Sequence, residues 1–179
     1  MTVEQNKELV EKYPFLLPRN VWTDKLDENY DYSYIRGVDE LPSGWRKLFL
    51  QMCEDLKVQL IKDNQLDTFR FSQIKEKYNR MECYNNGCSE AAQRIIDKYT
   101  HLASNVCTVC GQVATWETQG YYASFCDECY KNHAYNYTSE FLSCPVTKYH
   151  FTLYKNGKKY VRTVSCLREW KKYIASLKT

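Results

Sequence analysis

The chain has 179 residues, of which 44% are apolar, 26% charged and 15% aromatic, with nine cysteines and a formal net charge of +3. That length suits one domain with appendages or two small modules, since a domain takes roughly 100 to 200 residues. Six glycines and four prolines without a short repeat exclude collagen-like and low-complexity chains, and the aromatic content is enough to build a packed core.

The start, MTVEQNKELVEKY, lacks the basic and then apolar order of an export signal, and no segment reaches the ~18 to 20 consecutive apolar residues of a membrane span. A soluble, cytoplasmic protein is expected. Residues 3–13 suggest a short helix, closed by Pro14 and Pro18, and residues 20–41 show no sustained period and read as loop. Trp45, Leu48, Phe49, Met52, Cys53, Leu56 and Leu60 then recur at three-and-four spacing, which predicts an amphipathic helix over 43–63. Phe69 and Phe71 alternate with polar neighbours, and the run RMECY ends at Asn85-Asn86-Gly87, so a hairpin is predicted over 68–85. Ser89 is placed to N-cap a helix whose Ala92, Ile95, Ile96, Tyr99, Leu102 and Ala103 share one face.

Cysteines 107 and 110 (CTVCG) and, after fifteen intervening residues, 126 and 129 (CDEC) form two CxxC pairs. A two-residue gap lets both thiolates of one turn point at one ion, and two such turns complete a tetrahedron, so Cys107, Cys110, Cys126 and Cys129 are the candidate ligands of a structural zinc ion. Gly111 supplies the positive φ that such a knuckle asks of the residue after its second cysteine. With four sulfur ligands no coordination position stays open for water. The segment QVATWETQGYYASF between the pairs reads as two strands around Gln119-Gly120, and YKNHAYN, after the second pair, as the opening of a helix. That order fits a zinc ribbon or a treble clef. His133 is either a competing ligand or an exposed helix residue. Cys83 and Cys88, with His101, lack a fourth ligand, and they read, like Cys53, Cys144 and Cys166, as small buried hydrophobes.

The tail repeats the hairpin pattern. TKYHFTLY and KKYVRTVS flank Asn156-Gly157, a type I′ turn signal that sets Leu153 opposite Tyr160, Phe151 opposite Arg162 and Tyr149 opposite Val164. A last helix is predicted from about residue 165. The expected fold is α+β: helices packed on a hairpin and a four-cysteine zinc hairpin over residues 1–135, then a basic hairpin and helix over 144–179.

Charge separates with that division. Residues 147–179 hold nine bases and one acid, a net of +8, which leaves sixteen bases and twenty-one acids, a net of −5, in residues 1–146. A basic tail with interleaved aromatics is the footprint of a module that meets phosphate or an acidic protein surface, and lysines that merely blunt a sheet edge are the plain alternative. Lys155, Lys158, Lys159 and Arg162 are its candidate contact residues. At the other pole Asp27, Glu28, Tyr30, Asp31, Tyr32 and Tyr34 alternate acids with flat rings, which either imitate a nucleic-acid strand or form a solvated loop whose tyrosines pack on the core. No GxSxG, P-loop, HExxH or dinucleotide fingerprint is present, so no catalytic residue is assigned.

The stretch FSQIKEKYNRMECYNNG followed by a helix, CTVCG and CDEC resembles a widespread uncharacterised family of bacterial and phage proteins with the pattern QIKEKFG, LRFY, CxxCG and CDxC. The resemblance covers roughly residues 14–130 and implies the same zinc-hairpin domain; the chain departs from it at Asn79, where the pattern has Gly. The whole chain is similar to phage-type anti-CRISPR inhibitors of type II-A effectors. That similarity implies a non-enzymatic inhibitor in the bacterial host cytoplasm which binds the RNA-guided nuclease, or its guide RNA, and interferes with guide loading, with no membrane and no small-molecule substrate. The alternative is a zinc-stabilised RNA- or DNA-binding module without a dedicated protein target.

Overall fold

A computed structural model describes residues 1–20, 22–26, 28–118, 123–133, 143–145, 149–155 and 158–164; at 133 and in the strands from 143 onward it is the path of the backbone that is described. Helix α1 (Val3–Lys12) opens on a capping box, in which Thr2 Oγ1 accepts from the Gln5 amide and Gln5 Oε1 accepts from the Thr2 amide. A 3-10 turn over Pro14–Leu16 follows. The loop beyond contributes Ile35, Val38 and Leu41 to the core, and a second 3-10 turn, Ser43–Trp45, leads into α2 (Arg46–Lys62).

Helix α2 buries Phe49, Met52, Cys53, Leu56 and Leu60, the stripe that its spacing predicts. It ends where Asn64 turns left-handed (φ 54°) and the Gln65 amide donates to the Leu60 carbonyl, a C-terminal bond that needs a residue tolerant of positive φ. Strands β1 (Phe71–Lys77) and β2 (Arg80–Asn85) pair antiparallel, with a bulge between Phe71 and Gln73. Arg36 Nη1 donates to the Phe71 and Ser72 carbonyls at 2.8 and 2.7 Å, which satisfies backbone acceptors at that irregularity. The turn is the dipeptide Tyr78-Asn79 with φ of 52° and 59°, the signs of a type I′ turn. Asn79 thus keeps, without glycine, the conformation that a glycine would adopt, as asparagine can.

Helix α3 (Glu90–Ala103) starts on Ser89, whose Oγ accepts from the Ala92 amide. One core joins α1, the first 3-10 turn, α2, β1, β2 and α3, and at its centre Phe15, Phe69 and Phe71 meet edge to face with centroids 5.1 to 5.9 Å apart.

After α3 the chain forms a second, smaller apolar cluster around Cys107, Ala123 and Phe125. Strands β3 (Trp116–Thr118) and β4 (Ser124–Phe125) are shorter than the sequence suggests, and α4 (Asp127–His133) opens inside the second CxxC pair rather than after it. Strand β5 (Ser143–Pro145), which the sequence did not announce, adds to the free edge of β3. Strands β6 (Tyr149–Lys155) and β7 (Lys158–Val164) pair in the expected register, Tyr149 with Val164 through Lys155 with Lys158, and β6 runs beside α3. The Gln119-Gly120 and Asn156-Gly157 turns and the helix predicted from 165 lie outside the described residues. No helix among the described residues is long and apolar enough to cross a membrane.

Candidate metal centre

Residues 107–111 form a tight turn in which the Gly111 amide donates to the Cys107 carbonyl at 3.0 Å, and Gly111 takes φ +76°, as its position after the second cysteine predicts. The turn is tied across to β4, since both the amide and the Oγ1 of Thr108 donate to the Ser124 carbonyl. Cys126 follows β4 directly, and Cys129 sits in the first turn of α4, so one strand end and one helix start bring the second pair to the first.

The four sulfurs of Cys107, Cys110, Cys126 and Cys129 all lie within 4.8 Å of one another, and those of Cys110 and Cys126 are 3.5 Å apart. A zinc tetrahedron with Zn–S of about 2.3 Å separates its sulfurs by roughly 3.8 Å, so the donor set fits a tetrahedral thiolate site. The Cys129 amide donates to the Cys126 sulfur at 3.4 Å. Burial pushes the Cys107 thiol up, but the amides of Cys110, Cys126 and Val109 outweigh it and hold that thiol below its ordinary range. Burial and neighbouring thiols push Cys129 up, and burial raises Cys110 as well. Four thiols at this spacing repel as thiolates, and a bound dication removes that conflict.

Around the sulfurs, Asp127 accepts from Thr115 Oγ1 and from Trp116 Nε1, both at 2.8 Å, and these donors hold its carboxyl below the usual range. Trp116 stacks on Tyr130 with centroids 4.3 Å apart and an interplanar angle of 7°. Asp127, Trp116 and Tyr130 thereby lock α4 onto β3. The sequence carried a weak signal for the first of these, an acid at the start of a helix.

Three further hydrogen bonds, from two sides, dock the centre on the body. The Gly44 amide donates to the Thr108 carbonyl at 2.9 Å and Ser43 Oγ to the Val109 carbonyl at 2.9 Å; from the other side Asn79 Nδ2 donates to Ser124 Oγ at 2.6 Å. No sequence period marks Ser43, Gly44 or Asn79 for this role.

The remaining cysteines are placed differently. Cys53 is fully buried, Cys83 is pushed up to about 12 by burial, and Cys88 is half-buried, its sulfur 3.7 Å from Gln93 Oε1. Among the described residues the 107/110/126/129 set is the one group with metal-binding proximity. His133 ends α4, described through its backbone.

The Tyr-rich acidic loop is knit to itself. Tyr30 Oη donates to the Tyr34 carbonyl at 2.5 Å, and Tyr34 Oη to Glu40; Asp39 accepts from the Ile35 amide and Asp31 from the Ser33 amide. Tyr32 (φ 62°) packs on the core, and its carbonyl accepts from Asn6 Nδ2 at 2.7 Å. Glu28 is exposed, and Asp27 lies outside the described residues. Lys155, Lys158, Lys159 and Arg162 all fall on β6 and β7, Lys155 directly opposite Lys158.

No known protein family, no characterised protein and no solved structure matches the chain.

Proposed function

We propose that the chain is a non-enzymatic inhibitor that binds a type II CRISPR RNA-guided nuclease and interferes with guide-RNA loading. In this reading a structural zinc ion on Cys107, Cys110, Cys126 and Cys129 stabilises the fold, and the basic C-terminal hairpin makes the functional contact. Knuckle, short hairpin and a helix with Cys129 in its first turn favour a treble clef over a zinc ribbon. Four sulfur donors fill a tetrahedral ion, so the zinc supplies rigidity and no reactive water.

The observation that carries the reading is the charge division, +8 over residues 147–179 against −5 over the rest. Pairing Lys155 with Lys158 across the ladder sets like charges opposite each other, which weakens a free hairpin and suits one that meets a polyanion. A guide RNA held in a basic protein channel offers that polyanion, and the acidic body complements the channel's walls.

The test is order of addition with purified components. Incubation of the protein with the nuclease before guide RNA is expected to block loading, and addition after the guide is expected to leave the complex intact. Undisturbed loading in both orders, with no binding to the nuclease, overturns the reading. Binding to bare RNA alone, lost steeply with salt, supports the zinc-stabilised nucleic-acid module instead.

A further inference from the structure

The folded body is acidic overall, yet three cations converge on one open groove of about 570 Å³ between the end of α1 and the start of α2. Lys12 comes from the last turn of α1, and Arg46 and Lys47 from the first turn of α2; Leu50 and Gln51 lie along the wall. Glu54 is the one acid in the lining and is already engaged, accepting from Tyr13 Oη at 2.5 Å and pairing with Lys12 at 2.9 Å.

Arg46 and Lys47 are left uncompensated. Among the described residues neither forms an ion pair, and Arg46 Nε is buried without an acceptor. Their position also works against the helix. The N-terminus of a 17-residue helix carries partial positive charge, acids are favoured there, and the first turn of α2 has none. A local rule broken without compensation inside the molecule points to a ligand that compensates it.

We propose that this groove binds the phosphodiester backbone of single-stranded RNA. Arg46 provides a planar fork suited to a phosphate and Lys47 a point charge beside it, while Lys12 stays on Glu54. Peptide recognition leans on apolar or aromatic anchors, and this lining offers Leu50 and the already buried Tyr13. Charge must therefore supply the affinity, as it does for a nucleic-acid backbone. The groove lies on the body, apart from the C-terminal strands in sequence, and RNA binding there is independent of the nuclease reading.

The test uses the full chain and a labelled oligouridylate of about 20 nucleotides, titrated from about 50 mM salt upward, where phosphate contacts are strongest. Replacing Arg46→Gln and Lys47→Gln together is expected to lower affinity about tenfold and to reduce the salt slope by about 1.4, since each lost single-strand phosphate contact removes about 0.7. The melting temperature is expected to hold or rise, because both cations oppose the helix dipole. The charge-retaining swap Arg46→Lys with Lys47→Arg is expected to keep the wild-type slope. Absence of RNA binding by the wild type, or unchanged affinity and slope in the double Gln variant, overturns the proposal. So does displacement of RNA by polyglutamate at equal charge concentration, which reassigns the groove to an acidic peptide. Loss of RNA binding when Lys155, Lys158 and Lys159 alone are replaced with Glu, the groove being intact, assigns the contact to the hairpin and overturns the proposal.

Discussion

Gly44 and Gly111 meet backbone against backbone, and that contact seats the four-cysteine centre on the helical body. A Cβ on Gly44 would stand 2.7 Å from the Gly111 nitrogen and would also strike the Cys107 carbonyl, and a Cβ on Gly111 would stand 2.5 Å from the Gly44 carbonyl oxygen. The obstacles are backbone atoms, which cannot turn aside as a side chain does. Gly44→Ala is therefore expected to destabilise the protein by about 3 kcal/mol, the upper range for overpacking, and to weaken metal retention. Urea denaturation and a zinc-release titration check both; a variant with wild-type stability rules out a tight seat.

The β1–β2 turn provides the second anchor. Asn79 combines positive φ (59°) with a 2.6 Å hydrogen bond to Ser124 Oγ. Asn79→Gly keeps the backbone conformation and loses the bond, at a cost of about 1 kcal/mol partly offset by relief of the left-handed strain. Asn79→Ala loses the bond and keeps a Cβ in the left-handed region without the polar side chain that lets asparagine tolerate it, for about 2 kcal/mol in all. The expected order of stability in chemical denaturation is wild type, then Gly, then Ala. Equal stability of the two variants would show that backbone strain plays no part at this turn.

Much of the body was legible because its elements carry their own period. The α2 stripe, Ser89 as the α3 cap and the β6–β7 register all follow from local patterns. Other features have no local signature. Ile35, Val38 and Leu41 enter the core from a loop, so no period announces them. Strand β5 joins β3 across an interval of more than twenty residues. Helix α4 opens at Asp127 because Asp127 bonds back to Thr115 and Trp116, a tertiary contact that overrides the expected start. The four cysteines were legible as a set from spacing alone, whereas the groove was not: Lys12 and Arg46 are far apart in sequence and line one groove where Lys12 and Tyr13, at the end of α1, are tied to Glu54 of α2.

In the proposed function the C-terminal hairpin carries recognition and little of the folding. Lys155, Lys158 and Lys159 cluster at one end of the ladder, next to the turn. Replacing all three with Glu is expected to leave the melting temperature within about 2 °C of wild type, the scale of a surface change in a chain of this size, and to abolish nuclease binding. Binding measured by surface-immobilised nuclease and inhibition measured by guide loading are expected to fall together. Retained inhibition at normal affinity takes the hairpin out of the mechanism.

Removal of the metal is expected to act first on the small cluster and then on the body. Thiols must shed their protons to bind zinc as thiolates, so affinity falls as pH falls, and chelation is expected to become progressively easier as the solution is acidified from neutral pH. Structural zinc contributes about 10 to 16 kcal/mol in small zinc-finger peptides; here a separate apolar core supports part of the fold. A loss of about 3 to 5 kcal/mol, or about 6 to 20 °C in melting temperature, is therefore expected from a strong chelator or from Cys107→Ser. Trp116 reports the local event, because its stack on Tyr130 and its bond to Asp127 depend on α4 staying docked beside Cys126 and Cys129. Its fluorescence is expected to shift before far-UV ellipticity is lost, since most of the helix among the described residues lies in α1, α2 and α3. A chelated protein with unchanged Trp116 emission and unchanged melting would show that the four sulfurs hold no structural ion.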